Sequence, residues 1–331
     1  MAEARKVVED LARLSSRVIR ILGQNPGPYT LAGTNTYLIT SAGLAASELK
    51  SRRSILVDTG EGTEGYIPLL EKALKGAADA STGSAQEQRM EEDDEDEDEL
   101  TSWISDIVLT HKHHDHVGGL PSVLSLLSKL RAEATVTLPA PRIHKFPDPE
   151  SDPALIRTLQ GLPSGSFQPY NRFDGPTPLW PLKEGSTVST IDEEGGAKGD
   201  DSVSTLQVMH TPGHTLDHIC LLLQEERALL TGDHVLGQGT TVFEDLTHYM
   251  SSLRKCSKVL EEVGPADAAA NENPLYPAHG PVVEEGRKML AQYLQHRLER
   301  EAQVVELLKT APVTANDGTQ KTSQTSIHRQ P

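Results

Sequence analysis

Apolar residues recur along this 331-residue chain in two rhythms. Compact apolar runs bounded by turn-forming residues predict buried strands at Val18–Leu22, Thr36–Ile39, Ser54–Asp58, Trp103–Thr110, Thr205–His210, Ile219–Leu223 and Ala228–Thr231. Apolar positions three and four apart predict helices over Tyr66–Lys75, over the SVLSLLSKLRAE stretch after Pro121, and over Lys288–Leu308. Pro121 suits a first helical turn, where the N–H it lacks would find no partner anyway. Residues 139–181 are proline-rich and read as irregular, residues 77–99 as a polar insertion, and the chain from about Ala311 as a polar tail. Strands mixed with helices in both halves predict a layered α/β fold. The domain reading is one catalytic domain over 1–310 and a tail over 311–331.

Composition narrows the class. Cys220 and Cys256 lie far apart in sequence, without the paired spacing of a zinc ribbon or a disulfide framework, which fits a reducing compartment. Glu3, Glu9 and Asp10 interrupt the basic N-terminal residues and no apolar core follows, so a secretory signal is not expected. No apolar run approaches the roughly 18 residues of a membrane span. The expectation is a soluble protein of the cytoplasm, with the mitochondrion as the second choice and no membrane partner. Of the net charge of −17, nine charges sit in the unbroken acidic run Glu91–Glu99. Like charges repel and nothing apolar there offsets the cost of ordering, so the run reads as a disordered insertion. The acidic balance also disfavours unaided nucleic-acid binding, which needs a basic face.

The candidate chemistry sits at the end of one predicted strand. LTHKHHDHVGG places four of the 13 histidines and an aspartate within His111–His116. Divalent metals are held by imidazole and carboxylate donors at about 2.0–2.2 Å, and a sharply turning loop can present them. His111 and His113, two apart, can clamp one ion; Asp115 and His116 can face another. One loop leaves coordination positions open, so further ligands are required. His214 in HTPGHTLDH, Asp233 in LLTGDHVLG and His279 in LYPAHGP each stand beside glycine after an apolar run. By contrast, His114, His144, His248 and His328 read as ordinary surface or packing side chains. No G-x-S-x-G elbow, P-loop or G-x-G-x-x-G after a strand offers a competing chemistry.

The order HxHxDH, GHT, GD and a final PAHGP resembles the metallo-β-lactamase superfamily. Within it, NPGPYTLAGTNTYLI, GHTLDHICLLL, LGQGTTVFEDL and YLQHRLERE are similar to the lactamase-beta-like protein 2 group and to fungal lactamase-type thioesterases. The resemblance covers about Leu14–Leu308. It implies a four-layer αβ/βα sandwich with a metal pair at one edge. It makes His111, His113 and His214 ligands of one zinc, makes Asp115, His116 and His279 ligands of the second, and lets Asp233 bridge them. Manganese or iron are the alternatives to zinc for such donors. Asp58 in LVDTG, Asn35, His218 and His296 match supporting positions around the ligands.

The implied activity is hydrolysis by a metal-bridging hydroxide, with Asp115 or Asp233 orienting the nucleophile and accepting its proton. The favoured substrate is an acyl thioester or ester, free or on an acyl carrier protein, including polyketide acyl groups. The alternatives are a single-strand RNA endoribonuclease and an inactive zinc-binding scaffold. The group's small winged-helix-like C-terminal domain has no counterpart in this sequence, which weakens the RNA reading. Oligomeric state is not legible.

Overall fold

The computed structural model describes residues 8–42, 53–76, 100–191, 202–266 and 272–310. The acidic run, the 77–99 insertion, the 311–331 tail and His328 lie outside the described residues. Fourteen strands and six helices alternate in the described residues. Seven strands form the first sheet: β1 (Leu11–Arg13), β2 (Val18–Leu22), β3 (Asn35–Thr40), β4 (Arg53–Val57), β5 (Trp103–Leu109), β6 (Arg142–Lys145) and β9 (Leu179–Pro181). Neighbours from β1 to β4 are antiparallel, and those from β4 onward run parallel. The second sheet orders β10 (Thr187–Ser189), β11 (Thr205–His210), β12 (Ile219–Leu223), β13 (Ala228–Gly232) and β14 (Leu275–Pro277), of which only β13 and β14 pair in parallel. β7 (Tyr170–Arg172) and β8 (Gly175–Thr177) make a separate hairpin.

The two-residue period of a strand explains the layers. In β5, Ile107 and Leu109 pack among α1 (Tyr66–Leu74) and α3 (Leu120–Glu133), while Val108 points the other way, among Val208 and Leu221 of the second sheet. In β12, Leu221 joins that inter-sheet core, while Cys220 and Leu222 meet Leu253 and Cys256 of α5 (Leu246–Val263). Both faces of both sheets are therefore apolar and covered. The result is the helix, sheet, sheet, helix stack that the resemblance implies.

Most predicted strands and helices coincide with observed ones. Residues 139–181 do not: they hold β6, α4 (Asp152–Gln160) and β7 to β9, their prolines sitting in the loops, at strand positions and in the first turn of α4. The 18-residue α5, absent from the prediction, starts on Asp245, whose carboxylate caps the His248 amide. Cys220 and Cys256 are both buried and free, with their sulfurs 4.0 Å apart.

The chain divides into compact units of residues 1–294 and 295–331. The last helix, α6, runs Gly286–Thr310, and its residues beyond 294 are mostly exposed. Among the described residues no helix is long and apolar enough to cross a membrane.

Candidate metal centre

Four strands deliver candidate ligands to one edge of the sandwich. His111 follows β5, His214 follows the end of β11, Asp233 follows β13 and His279 follows β14. The two sheets meet here: the Ile219 amide at the start of β12 donates to the Thr110 carbonyl at 2.9 Å. After His113 the chain turns into the one-turn helix α2 (His114–Val117), which carries Asp115 and His116 round to a different side from His111 and His113. Gly232 allows the final approach. Its φ of +50° and the His218 ring, 2.7 Å from where a β-carbon would stand, exclude a side chain.

Seven side chains fall into two groups. His111, His113, His214 and Asp233 form one, and Asp115, His116 and His279 the other, with the donor atoms of each group within 4.8 Å of one another. His111 Nε2, His113 Nδ1 and His214 Nε2 stand 2.9 to 3.2 Å apart. Asp233 faces both groups: its Oδ2 is 3.3 Å from His214 Nε2, and its Oδ1 lies 3.1 Å from His279 Nε2 and 3.4 Å from His116 Nε2.

Outer hydrogen bonds decide which ring nitrogens are free. Asp58 accepts from the Thr110 amide at 2.8 Å, from Thr110 Oγ1 at 2.8 Å and from His116 Nδ1 at 2.7 Å, which turns His116 Nε2 towards Asp115 and Asp233. Because the Thr110 hydroxyl donates to Asp58, it accepts from His111 Nδ1 at 3.1 Å, which frees His111 Nε2. His214 Nδ1 donates to the Val242 carbonyl at 2.7 Å, so its Nε2 is free as well. Lone pairs on His111 and His214 thus face each other across 3.2 Å with no proton between them. Two acceptors so close need a positive centre among them, which either a proton on His113 Nδ1, 2.9 and 3.0 Å from the two, or a metal ion would supply. The spacing suits imidazoles held at about 2.0–2.1 Å from one metal ion. The donor set therefore fits the metal that the fold implies.

Charge divides the two groups. Burial opposes ionisation of Asp115 and Asp233, but neighbouring histidines outweigh it and hold both carboxyls well below the usual range. In return, His116 is raised well above the ordinary histidine value, and His279 to about 9, carboxylate attraction overcoming burial. Burial and neighbouring imidazoles push His111 and His113 down. His111 and His113 thus favour the neutral form, while Asp115, Asp233, His116 and His279 favour the charged one.

The supporting residues separate by what they touch. His218 accepts the Asp233 amide on Nε2 at 3.1 Å and donates from Nδ1 to Thr211 Oγ1 at 2.9 Å, so it steers Asp233 from outside. Asn35 donates to the Pro277 and Gly280 carbonyls at 2.9 and 2.8 Å, bracing the turn that presents His279. His296 is exposed on α6 and belongs to neither group. His144 and His248 keep ordinary roles beside Asp106 and Asp245, and His114 stays outside both groups.

Sequence reasoning missed Thr110, described above, and Thr34, whose Oγ1 donates to Asp115 Oδ2 at 2.9 Å. Neither hydroxyl carries a local signal, since the carboxylates they bond, Asp58 and Asp115, are 52 and 81 residues away. Nor would concavity alone have found the centre. A groove of about 780 Å³, lined by Arg20, Glu226 and Tyr276, lies by the turn between β12 and β13, at the end of those strands away from Asp233.

Known proteins resemble this chain over most of its length. A profile described as the Metallo-beta-lactamase superfamily matches residues 29–279. A Beta-lactamase-like protein 2 homolog of Caenorhabditis elegans is 34% identical over 304 residues, spanning 91% of this chain and 74% of its own length. An Atrochrysone carboxyl ACP thioesterase of Aspergillus fumigatus is 32% identical over 311 residues, 93% of this chain and 70% of its own. Among solved structures, a beta-lactamase domain protein from Burkholderia ambifaria shares the fold with a TM-score of 0.53 at 19% identity, over 89% of this chain and 77% of that one. With fold, strand-edge cluster and relatives in agreement, the chain belongs to the metallo-beta-lactamase superfamily, whose metal-dependent hydrolases it joins.

Proposed function

We propose that the protein is a dinuclear zinc hydrolase that cleaves acyl thioesters or esters. The observation that carries the reading is Asp233, which turns one oxygen to each of the two ligand groups and so could serve an ion in either. His111, His113 and His214 would hold one zinc, Asp115, His116 and His279 the other, and Asp58, His218 and Asn35 would keep them aligned. When bound, such a pair supplies a water of lowered pKa in the form of a bridging hydroxide, and a Lewis acid for the carbonyl oxygen.

The chain's own residues do the rest. Asp115 is fixed through Oδ2 by Thr34 and keeps its side chain partly open to solvent, so its carboxylate orients the attacking water and takes its proton. The nucleophile that such a pair would supply is water, and neither group contains a cysteine to compete with it. Near His214, Leu216 and Val242 expose 56% and 64% of their surface, an apolar border suited to an acyl chain. The thioesterase named among the relatives supports the same substrate class, including acyl groups delivered on a carrier protein.

The deciding assay sets zinc-loaded protein against free acyl thioesters, an acyl-carrier-protein thioester and single-stranded RNA, with Asp115→Ala and His116→Ala alongside. Thioester turnover that both variants lose, with intact RNA, is the expected result. RNA cleavage without thioester turnover overturns the acyl reading, and zinc binding with no turnover of either class would mark a scaffold.

A further inference from the structure

Each group takes one histidine from the second sheet, and each such histidine is gripped from the first. For His279 the grip is Asn35, already described. For His214 it is Lys145, the last residue of β6, which no part of the metal chemistry uses. Its ammonium is buried, 2.8 Å from Asp217 Oδ2, 2.6 Å from Asp152 Oδ1 and 3.2 Å from the Phe146 carbonyl. Asp217 belongs to the His214–His218 loop, and its Oδ1 accepts from Thr215 Oγ1, next to His214, at 2.7 Å. A second contact follows the same seam. Phe146 stacks on His210 at 3.8 Å with the rings 7° from parallel, and His210 Nε2 donates to the Leu216 carbonyl at 2.8 Å.

Buried ion pairs contribute little net stability, since desolvation consumes the Coulomb gain, but they hold geometry. A fully enclosed lysine joining the two sheets at the His214 loop is therefore better explained by position than by stability. We infer that Lys145 and Asp217 are positioning residues that keep His214 in register with His111 and His113, and so set the metal affinity of the three-histidine group selectively. This rests on the dinuclear reading above. Loss of the pair leaves the Asp115, His116 and His279 group untouched, because His279 is held by Asn35.

The test reads zinc affinity of the full chain by competition with a chromophoric chelator, with folding followed by circular dichroism. In a His279→Ala background only the three-histidine group keeps all its members; in a His113→Ala background only the other group does. Asp217→Asn, nearly identical in shape, is added to each. The expected result is a loss of roughly 10- to 100-fold in the first background, the size typical of residues that orient ligands, and none in the second. Equal losses in both, or none in either, overturn the inference. Lys145→Met should repeat the selective loss, but it strips buried Asp217 and half-buried Asp152 of their cation and threatens the fold, so Asp217→Asn decides. A wild-type chain that takes up fewer than two zinc ions overturns the dinuclear reading and this inference with it. Two ions in the wild type without a selective loss overturn the inference alone.

Discussion

Strand β5 carries one polar cluster at its middle and leads into another past its C-terminal end, and the two differ in how they are completed. At the middle, Asp106 is wholly enclosed and saturated: Arg142 reaches it through Nε at 2.7 Å and Nη2 at 3.0 Å, His144 Nε2 at 2.7 Å, and Ser105 Oγ at 2.7 Å. Past the strand's end, roughly 16 Å away at about 3.3 Å per residue, the histidine and aspartate cluster is mostly buried but incomplete. His116 Nε2 and Asp233 Oδ1 make no hydrogen bond there, and imidazole lone pairs confront one another. A polar cluster that satisfies itself serves the fold. One that leaves its donors converging on a common space is built for something that arrives later.

That contrast can be broken most forcefully at the metal end. Asp115→Ala should lower kcat by roughly 10²- to 10⁴-fold, the usual contribution of a positioned proton acceptor, while circular dichroism and the urea midpoint of the zinc-free protein stay near the wild type. At Asp106 the outcome should reverse. Asp106→Ala leaves Arg142 and His144 without their shared carboxylate and should cost about 3–5 kcal/mol in urea unfolding, with turnover per folded molecule unchanged.

Metal separates the two clusters next. Zinc at about 100 times its Kd should stabilise the wild type by ~2.7 kcal/mol, visible as a raised Tm that a chelator reverses. Asp106→Asn should keep that increment and Asp233→Ala should lose most of it; equal increments in both variants would erase the distinction. Acid sharpens the comparison further. Burial opposes ionisation of Asp106, but His144 and Arg142 hold its carboxyl well below the ordinary value. A carboxyl depressed in the folded state adds stability that is present above its unfolded pKa of about 3.9 and is lost as pH falls through the folded value. Zinc-free wild type should therefore lose stability below about pH 4, and Asp106→Asn should show a flatter decline in urea titrations at pH 3 to 5. The smallest effect is expected of His144→Gln, about 1 kcal/mol for one hydrogen bond in a network that keeps its arginine.

Much of the centre was legible because its residues announce themselves locally. The loop His111–His116 concentrates ligand types at a strand end, and His214, Asp233 and His279 each follow an apolar run beside glycine. Pattern failed where the signal was diluted. Helix α5 buries Tyr249, Leu253, Cys256 and Leu260 at helical spacing, yet its polar majority masks the stripe. The short strands of residues 139–181 were hidden by prolines that occupy loops, strand positions and the first turn of α4.

By itself, the sequence determined the kinds of donor, their places after strands, and the two-residue and 3.6-residue rhythms that build four layers. Those properties are local: each depends on residues within a few positions of one another. Tertiary packing decided everything that spans the chain. It brought His214 to within 3.2 Å of His111, 103 residues away, let Asp233 face both groups, chose the inward-facing nitrogen of His116 through Asp58, and enclosed Lys145 against Asp217. No spacing encodes those meetings, because they follow from how two apolar sheet faces settle on each other, and only that contact determines which strand ends share an edge.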